Sequence, residues 1–105
     1  MISMTLPQLH RHQCSIDGRV VQLRQTLAEM LAILLVAGPD KFISSSDLIE
    51  ATWPDPDFEP DYAETILWRR IHELRQAGVH IENRYYYGYR IPRWAREHSH
   101  IAEAA

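Results

Sequence analysis

The sequence predicts a small α+β fold: three helices set between an N-terminal and a C-terminal β-hairpin, with a short helical tail. Three observations predict it. Asp17-Gly18 separates two strand-like runs within residues 9–23. Residues 26–78 hold three stretches of helical apolar spacing, divided at Gly38-Pro39 and Trp53-Pro54 and closed by Gly78. Residues 79–91 then return to strand-like alternation around a run of tyrosines.

Each element has a local reason. The first hairpin reads LHRHQCSI, then Asp17-Gly18, then RVVQL. Asp-Gly favours a type I′ turn, because both central residues need positive φ. Thr26-x-x-Glu29 has the spacing of a capping box and opens the first predicted helix. Met30, Leu31, Ile33, Leu34 and Leu35 supply its buried face, and Gly38-Pro39 ends it. Ser44 caps the second helix, roughly residues 45–52, which buries Leu48 and Ile49; Pro54 blocks its continuation past Trp53. Residues 54–61, PDPDFEPD, form an acidic, proline-rich loop.

Asp61-x-x-Glu64 repeats the capping-box spacing and starts the third helix, which stops at Gly78, a natural left-handed terminator. Ala63, Leu67, Ile71 and Leu74 fall on one side of it. At about 100° per residue, Tyr62, Thr65, Arg69, His72, Glu73 and Gln76 fall on the other, with Trp68, Arg70 and Arg75 on the flanks. The second hairpin alternates from Val79 and Ile81, turns near Arg84, and returns through Tyr87-Gly88-Tyr89-Arg90-Ile91. The tail, residues 92–105, is expected to form one more short helix, with Pro92 in its first turn and Trp94, His98 and Ile101 along one stripe.

Composition narrows the function classes. A chain of 105 residues with 46% hydrophobic and 24% charged residues is expected to be one domain with a modest core. Its longest strongly apolar run, residues 30–37, is far too short to span a bilayer, and no membrane partner is expected. The single cysteine, Cys14, excludes an intrachain disulfide and fits a reducing cytoplasm. Net charge is −3, but the charges are sorted along the chain. Residues 1–64 carry four basic groups against ten carboxylates, whereas residues 65–105 carry seven arginines against four. Arginine suits bidentate phosphate and guanine contacts, and a local basic surface matters more for binding than the global sum.

In order and spacing these residues resemble the OmpR-type winged-helix effector domain of bacterial response regulators. Thr26-x-x-Glu29 followed by Ile33 and Leu35 looks like that family's helix opening. Ser44, Leu48 and Trp53 match its serine-capped second helix ending in tryptophan. Ile71-x-x-Leu74-Arg75 resembles the end of its recognition helix, and Gly88-Tyr89-Arg90 its wing strand. The likeness spans residues 10–91, with two residues inserted between Leu23 and Thr26 and tyrosines at 85, 86 and 87 where relatives commonly place smaller residues. It implies a winged helix-turn-helix: residues 9–23 the N-terminal hairpin, 26–78 the three-helix core, about 62–77 the recognition helix and 79–91 the wing. No receiver domain precedes these elements, so a stand-alone transcriptional regulator that binds double-stranded DNA sequence-specifically, as a homodimer, is expected. Loop 54–61 reads first as a solvated connection; the resemblance also implies that it can contact the transcription machinery.

On that expectation the recognition helix lies in the major groove and the wing on the adjacent backbone or minor groove. Arg69 and Gln76 reach base edges or phosphates, and Thr65 a phosphate near the helix N-terminus. Arg70 and His72 lie alongside. Glu73 accepts from cytosine N4 or only orients an arginine. Arg84 enters the minor groove, where negative potential is concentrated; Tyr86 contacts the sugar-phosphate backbone or a partner protein. Tyr89 is assigned to the core, and Trp53 and Trp94 to packing. The same outer face is also what any amphipathic helix shows to solvent. The alternative function is a protein-interaction module that uses the tyrosine-rich wing and the acidic loop without touching DNA. His10, His12 and Cys14, on one strand face, have donor types that suit zinc or copper, but no fourth ligand is evident and neither metal nor cofactor is expected. With no nucleophile motif, no glycine-rich phosphate loop and no Cys-x-x-Cys, an enzyme is not expected either.

Overall fold

The computed structural model describes residues 1–97. Its strands are β1 (Ile2–Ser3), β2 (Gln13–Ile16), β3 (Arg19–Gln22), β4 (Glu82–Arg84) and β5 (Gly88–Arg90); its helices are α1 (Leu6–His10), α2 (Gln25–Val36), α3 (Ser45–Thr52) and α4 (Ala63–Ala77). Two 3₁₀ turns, Pro56–Phe58 and Arg93–Ala95, complete the order. β1, β2 and β3 form one antiparallel sheet in that order, and β4 pairs with β5 in a second.

Helix α2 is the central pillar. Leu27, Ala28, Met30, Leu31, Ala32, Leu34 and Leu35 are all buried, so most of its circumference faces other elements. It packs against α3 and α4, and β5 reaches it from the wing side. The core then runs without a break through Ile2, Met4, Cys14, Ile16, Leu48, Leu67, Ile71, Leu74, Val79, Ile81, Tyr89 and Ile91.

The first hairpin is shorter than residues 9–23 suggested. Asp17 and Gly18 have φ of 51° and 82°, as a type I′ turn requires, and Cys14 pairs with Val21 across it. Residues 9–12, however, are not extended: Leu9 and His10 end α1, and Arg11 and His12 form a turn. Thr5 and Gln8 form a capping box, with the Gln8 N–H donating to Thr5 Oγ1 at 3.2 Å and the Thr5 N–H to Gln8 Oε1 at 3.0 Å. Pro7 sits in the first turn of this helix, where its missing N–H costs nothing. The signal Thr5-x-x-Gln8 stands in the sequence; the local cap outweighs the alternation of His10, His12 and Cys14.

Neither expected capping box at the longer helices forms. Leu23 is buried and its N–H donates to the His12 carbonyl, which brings the chain directly into α2 at Gln25. Thr26 is therefore already inside the first turn, and its Oγ1 is buried with no hydrogen-bond partner among the described residues. Gln25 Nε2 donates instead to Glu29 at 3.0 Å. At α4 the N-cap is Tyr62, without a side-chain bond, and the Pro60 carbonyl accepts the first N–H, from Ala63, at 3.2 Å. Ser44 does cap α3, accepting from the Asp47 N–H at 3.1 Å.

The wing is tied back to the helical core. Ile43 and Tyr89 exchange backbone hydrogen bonds of 2.8 and 2.9 Å, so the segment before α3 extends the wing by one bridge. Only glycine fits beside that bridge. Gly88 has φ of 110°, and a Cβ there would press on the Ile43 carbonyl oxygen and lie 2.6 Å from its carbon. Residues 92–97 do not form a regular helix: after the 3₁₀ turn, Arg96 is extended and bridges to Ile2. Its guanidinium donates to the carbonyls of Ile91, Leu34 and Leu35, capping the end of α2. Trp94 is exposed, its ring 4.9 Å from that of His80 by centroids, so among the described residues it is not the packing residue expected. His98 and Ile101, assigned to the helical stripe, lie outside the described residues.

Candidate nucleic-acid interface

Helix α4 sorts its residues as the periodicity demands. Ala63, Leu67, Ile71 and Leu74 are buried against α2 and α3. Thr65, Trp68, Arg69, His72 and Gln76 are exposed. Gly78, at φ 111°, terminates the helix, and the Val79 N–H folds back to the Leu74 carbonyl at 3.0 Å. Arg75 fastens the approach to β4: its Nε and Nη2 donate to the Ile81 carbonyl at 3.3 and 2.9 Å. The wing is thus held to the end of α4 by a side chain as well as by the backbone.

Arg69 makes no hydrogen bond, ion pair or ring contact among the described residues and is free to meet a ligand. Arg70 and Glu73 are placed differently. Arg70 is half-buried with its guanidinium over the Trp53 ring, 5.2 Å from the centroid. Burial and then the nearby Arg24 charge lower its pKa, though a guanidinium stays charged at any physiological pH. Glu73 receives Arg24 Nη2 at 2.6 Å, an ion pair that joins the N-cap of α2 to α4. Trp68, placed on the flank by the helical spacing, is 59% exposed and stacks on His72, centroids 6.0 Å apart and planes 12° from parallel. The i, i+4 spacing of the two rings was the available signal.

The wing tip lies beside the start of α3. Ser44, Ser45 and Ser46 face Asn83, Arg84 and Tyr86 across a cavity of 380 Å³. A second cavity, of 300 Å³, lies between α3 and α4 and is lined by Ser45, Glu64, Thr65, Leu67 and Trp68. Ser45 and Tyr89 border both, so Thr65, Arg84 and Tyr86 frame one concave surface around the first turn of α3. Phe42 supports this edge. Arg84 and Arg90 lie over its ring at 5.5 and 4.3 Å, and Tyr87 is 6.3 Å away. Arg90 is held further by Glu82 at 2.8 Å, which leaves Arg84 the outward cation of the pair.

Tyrosines 85, 86 and 87 are all exposed, at 80%, 88% and 63%, while Tyr89 is buried as expected. The three donors considered for a metal do not share a face. His10 closes α1, His12 is a left-handed turn residue at φ 58°, and Cys14 points into the core. Burial pushes the Cys14 thiol up to about 11, away from the thiolate a metal needs. No cluster of His, Cys, Asp or Glu able to hold a metal occurs among the described residues. Nor is any described helix long and apolar enough to cross a membrane.

No protein-family model matches the sequence, and no curated protein does. Among solved structures, the DNA-binding domain of E. coli CadC matches with a probability of 1.00 and a TM-score of 0.64, at 21% identity, over 79% of this chain and 80% of that one. α3 and α4 supply the helix-turn-helix pair, and β4 and β5 the wing behind it. The chain has a mixed α+β fold similar to that of a winged-helix DNA-binding domain.

Proposed function

We propose that this chain binds double-stranded DNA and regulates transcription, with α4 in the major groove and the β4–β5 wing on the neighbouring backbone or minor groove. The observation that carries the proposal is the open face of α4, which presents Thr65, Arg69, His72 and Gln76 to solvent beside the wing cation Arg84. The likeness to a DNA-binding domain supports it. Arg69 and Gln76 are the side chains with free donors for base edges. Thr65 and Arg84 serve the phosphates or the minor groove on either side. His72 presents its ring beside Trp68, and Tyr86 extends the wing. Arg70 and Glu73 act from behind, fixing the face through Trp53 and Arg24. Few cations face outward, so two copies acting as a homodimer, or bound to tandem sites, are needed for firm binding.

Loop 54–61 favours a second contact, with protein. Phe58 stands 77% exposed among Asp55, Asp57, Glu59 and Asp61, an aromatic in an acidic setting that DNA would repel. A component of the transcription machinery is the partner proposed there. Were the chain a protein-interaction module alone, this loop and the tyrosine-rich wing would carry it.

Equilibrium binding to random and genomic duplexes at low salt tests the proposal. Arg69→Ala is expected to weaken binding by roughly 1–3 kcal/mol if the side chain meets a base. A wild-type protein that binds neither kind of duplex at low salt would leave the protein-interaction function in its place.

A further inference from the structure

The wing tip holds a conformation that its sequence should resist. Tyr86 has φ of 73°, in the left-handed region, which glycine and asparagine enter readily and a bulky aromatic rarely does. The fold gains no core packing in return. Tyr85 and Tyr86 are both largely exposed, and their rings lie against one another with centroids 4.1 Å apart. Strain kept without burial is a mark of use by something outside the molecule.

The surroundings identify the partner. Residues 83–89, NRYYYGY, contain no carboxylate, and the nearest one along the chain, Glu82, is occupied by Arg90. Arg84 stands at the base of the tip over Phe42. On a chain of net charge −3, this is a cationic and aromatic projection. It complements the concentrated negative potential of a minor groove.

We propose that Tyr85 and Tyr86 form an aromatic wedge that enters the minor groove beside Arg84, partly unstacks one base step and bends the duplex. The proposal rests on the DNA-binding function above and adds a mode of selection to it. Side chains that wedge into the minor groove kink DNA, and pyrimidine–purine steps such as TA yield most easily. The wing thereby selects a deformable step without a hydrogen bond to any base.

The test uses the whole chain, duplexes selected by it from a random pool, and fluorescent labels at the duplex ends. Wild-type protein is expected to enrich pyrimidine–purine steps at a fixed position and to bring the duplex ends closer. Tyr86→Gly relieves the backbone and removes the ring. It is therefore expected to melt at a higher temperature than wild type, bind about tenfold more weakly, leave the duplex straight, and keep the same salt dependence. Arg84→Ala is expected to reduce the salt dependence instead. A Tyr86→Gly variant that binds and bends DNA as wild type does overturns the wedge while DNA binding stands, and passes the tyrosines to a protein partner. A variant that melts lower overturns the premise of strain. Failure of the wild-type chain to bind any duplex overturns both the wedge and the function beneath it.

Discussion

Gly88 shows how one residue joins two parts of the fold. Its φ of 110° and the closeness of the Ile43 backbone leave no room for a side chain, because the wing and the segment before α3 share a β-bridge there. Gly88→Ala is expected to destabilise the fold by about 3 kcal/mol, from left-handed strain and backbone displacement together, measured by chemical denaturation. Retention of full stability would show that the bridge is dispensable. Thr26 offers the opposite case. Its buried Oγ1 lacks a partner, so the isosteric Thr26→Val is expected to raise stability by about 1 kcal/mol. A lower melting temperature for that variant would mean that the hydroxyl is satisfied in solution.

Among the elements, legibility followed the range of the forces involved. α3 was readable to its ends because Ser44 caps it locally and Pro54 stops it. Ser44→Ala is accordingly expected to cost about 1 kcal/mol, seen as a lower denaturation midpoint, and an unchanged midpoint would show the cap to be idle. α4 was readable in its faces and its glycine stop but not in its first turn, where Pro60 replaced the expected side-chain cap. α2 began early because Leu23 was pinned to His12 across the hairpin, a contact between residues far apart in sequence. α1 was missed although its capping box was present, since a five-residue helix has too few turns to show a period. On α4, the exposure of Thr65, Arg69 and Gln76 is legible in the helical spacing, and Trp68 is exposed beside them. The ties of Arg70 to Trp53 and of Glu73 to Arg24 were not legible, because their partners lie on other elements.

For the molecule as a whole, the sorting of charge matters more than its sum. The arginine-rich C-terminal part does not offer all its cations to a ligand: Arg75, Arg90, Arg93 and Arg96 are engaged by the Ile81 carbonyl, Glu82, Asp40 and the carbonyls at the end of α2. Arg69 and Arg84 remain outward on the proposed face. Each neutralised phosphate contributes about 0.9 to the slope of log affinity against log salt. With two to four cations in play, a shallow slope on the order of −2 to −4 per copy is expected. A slope near −8 for a single copy would show that the structural arginines release their partners on binding.

Local sequence was enough to set the α+β class, the Asp17-Gly18 turn, the serine-capped α3, and the division of α4 into a buried stripe and an outer face. Short-range geometry and periods of a few residues account for all four. Packing between elements settled where α2 begins, the engagement of Arg24 by Glu73 and of Arg96 by the end of α2, and the bridge that makes Gly88 indispensable. It also set three tyrosines outward on a strained wing tip. The pinning of Leu23, the capping of α2 by Arg96 and the Gly88 bridge depend on partners from separate elements, which the periodicity of a single element does not register.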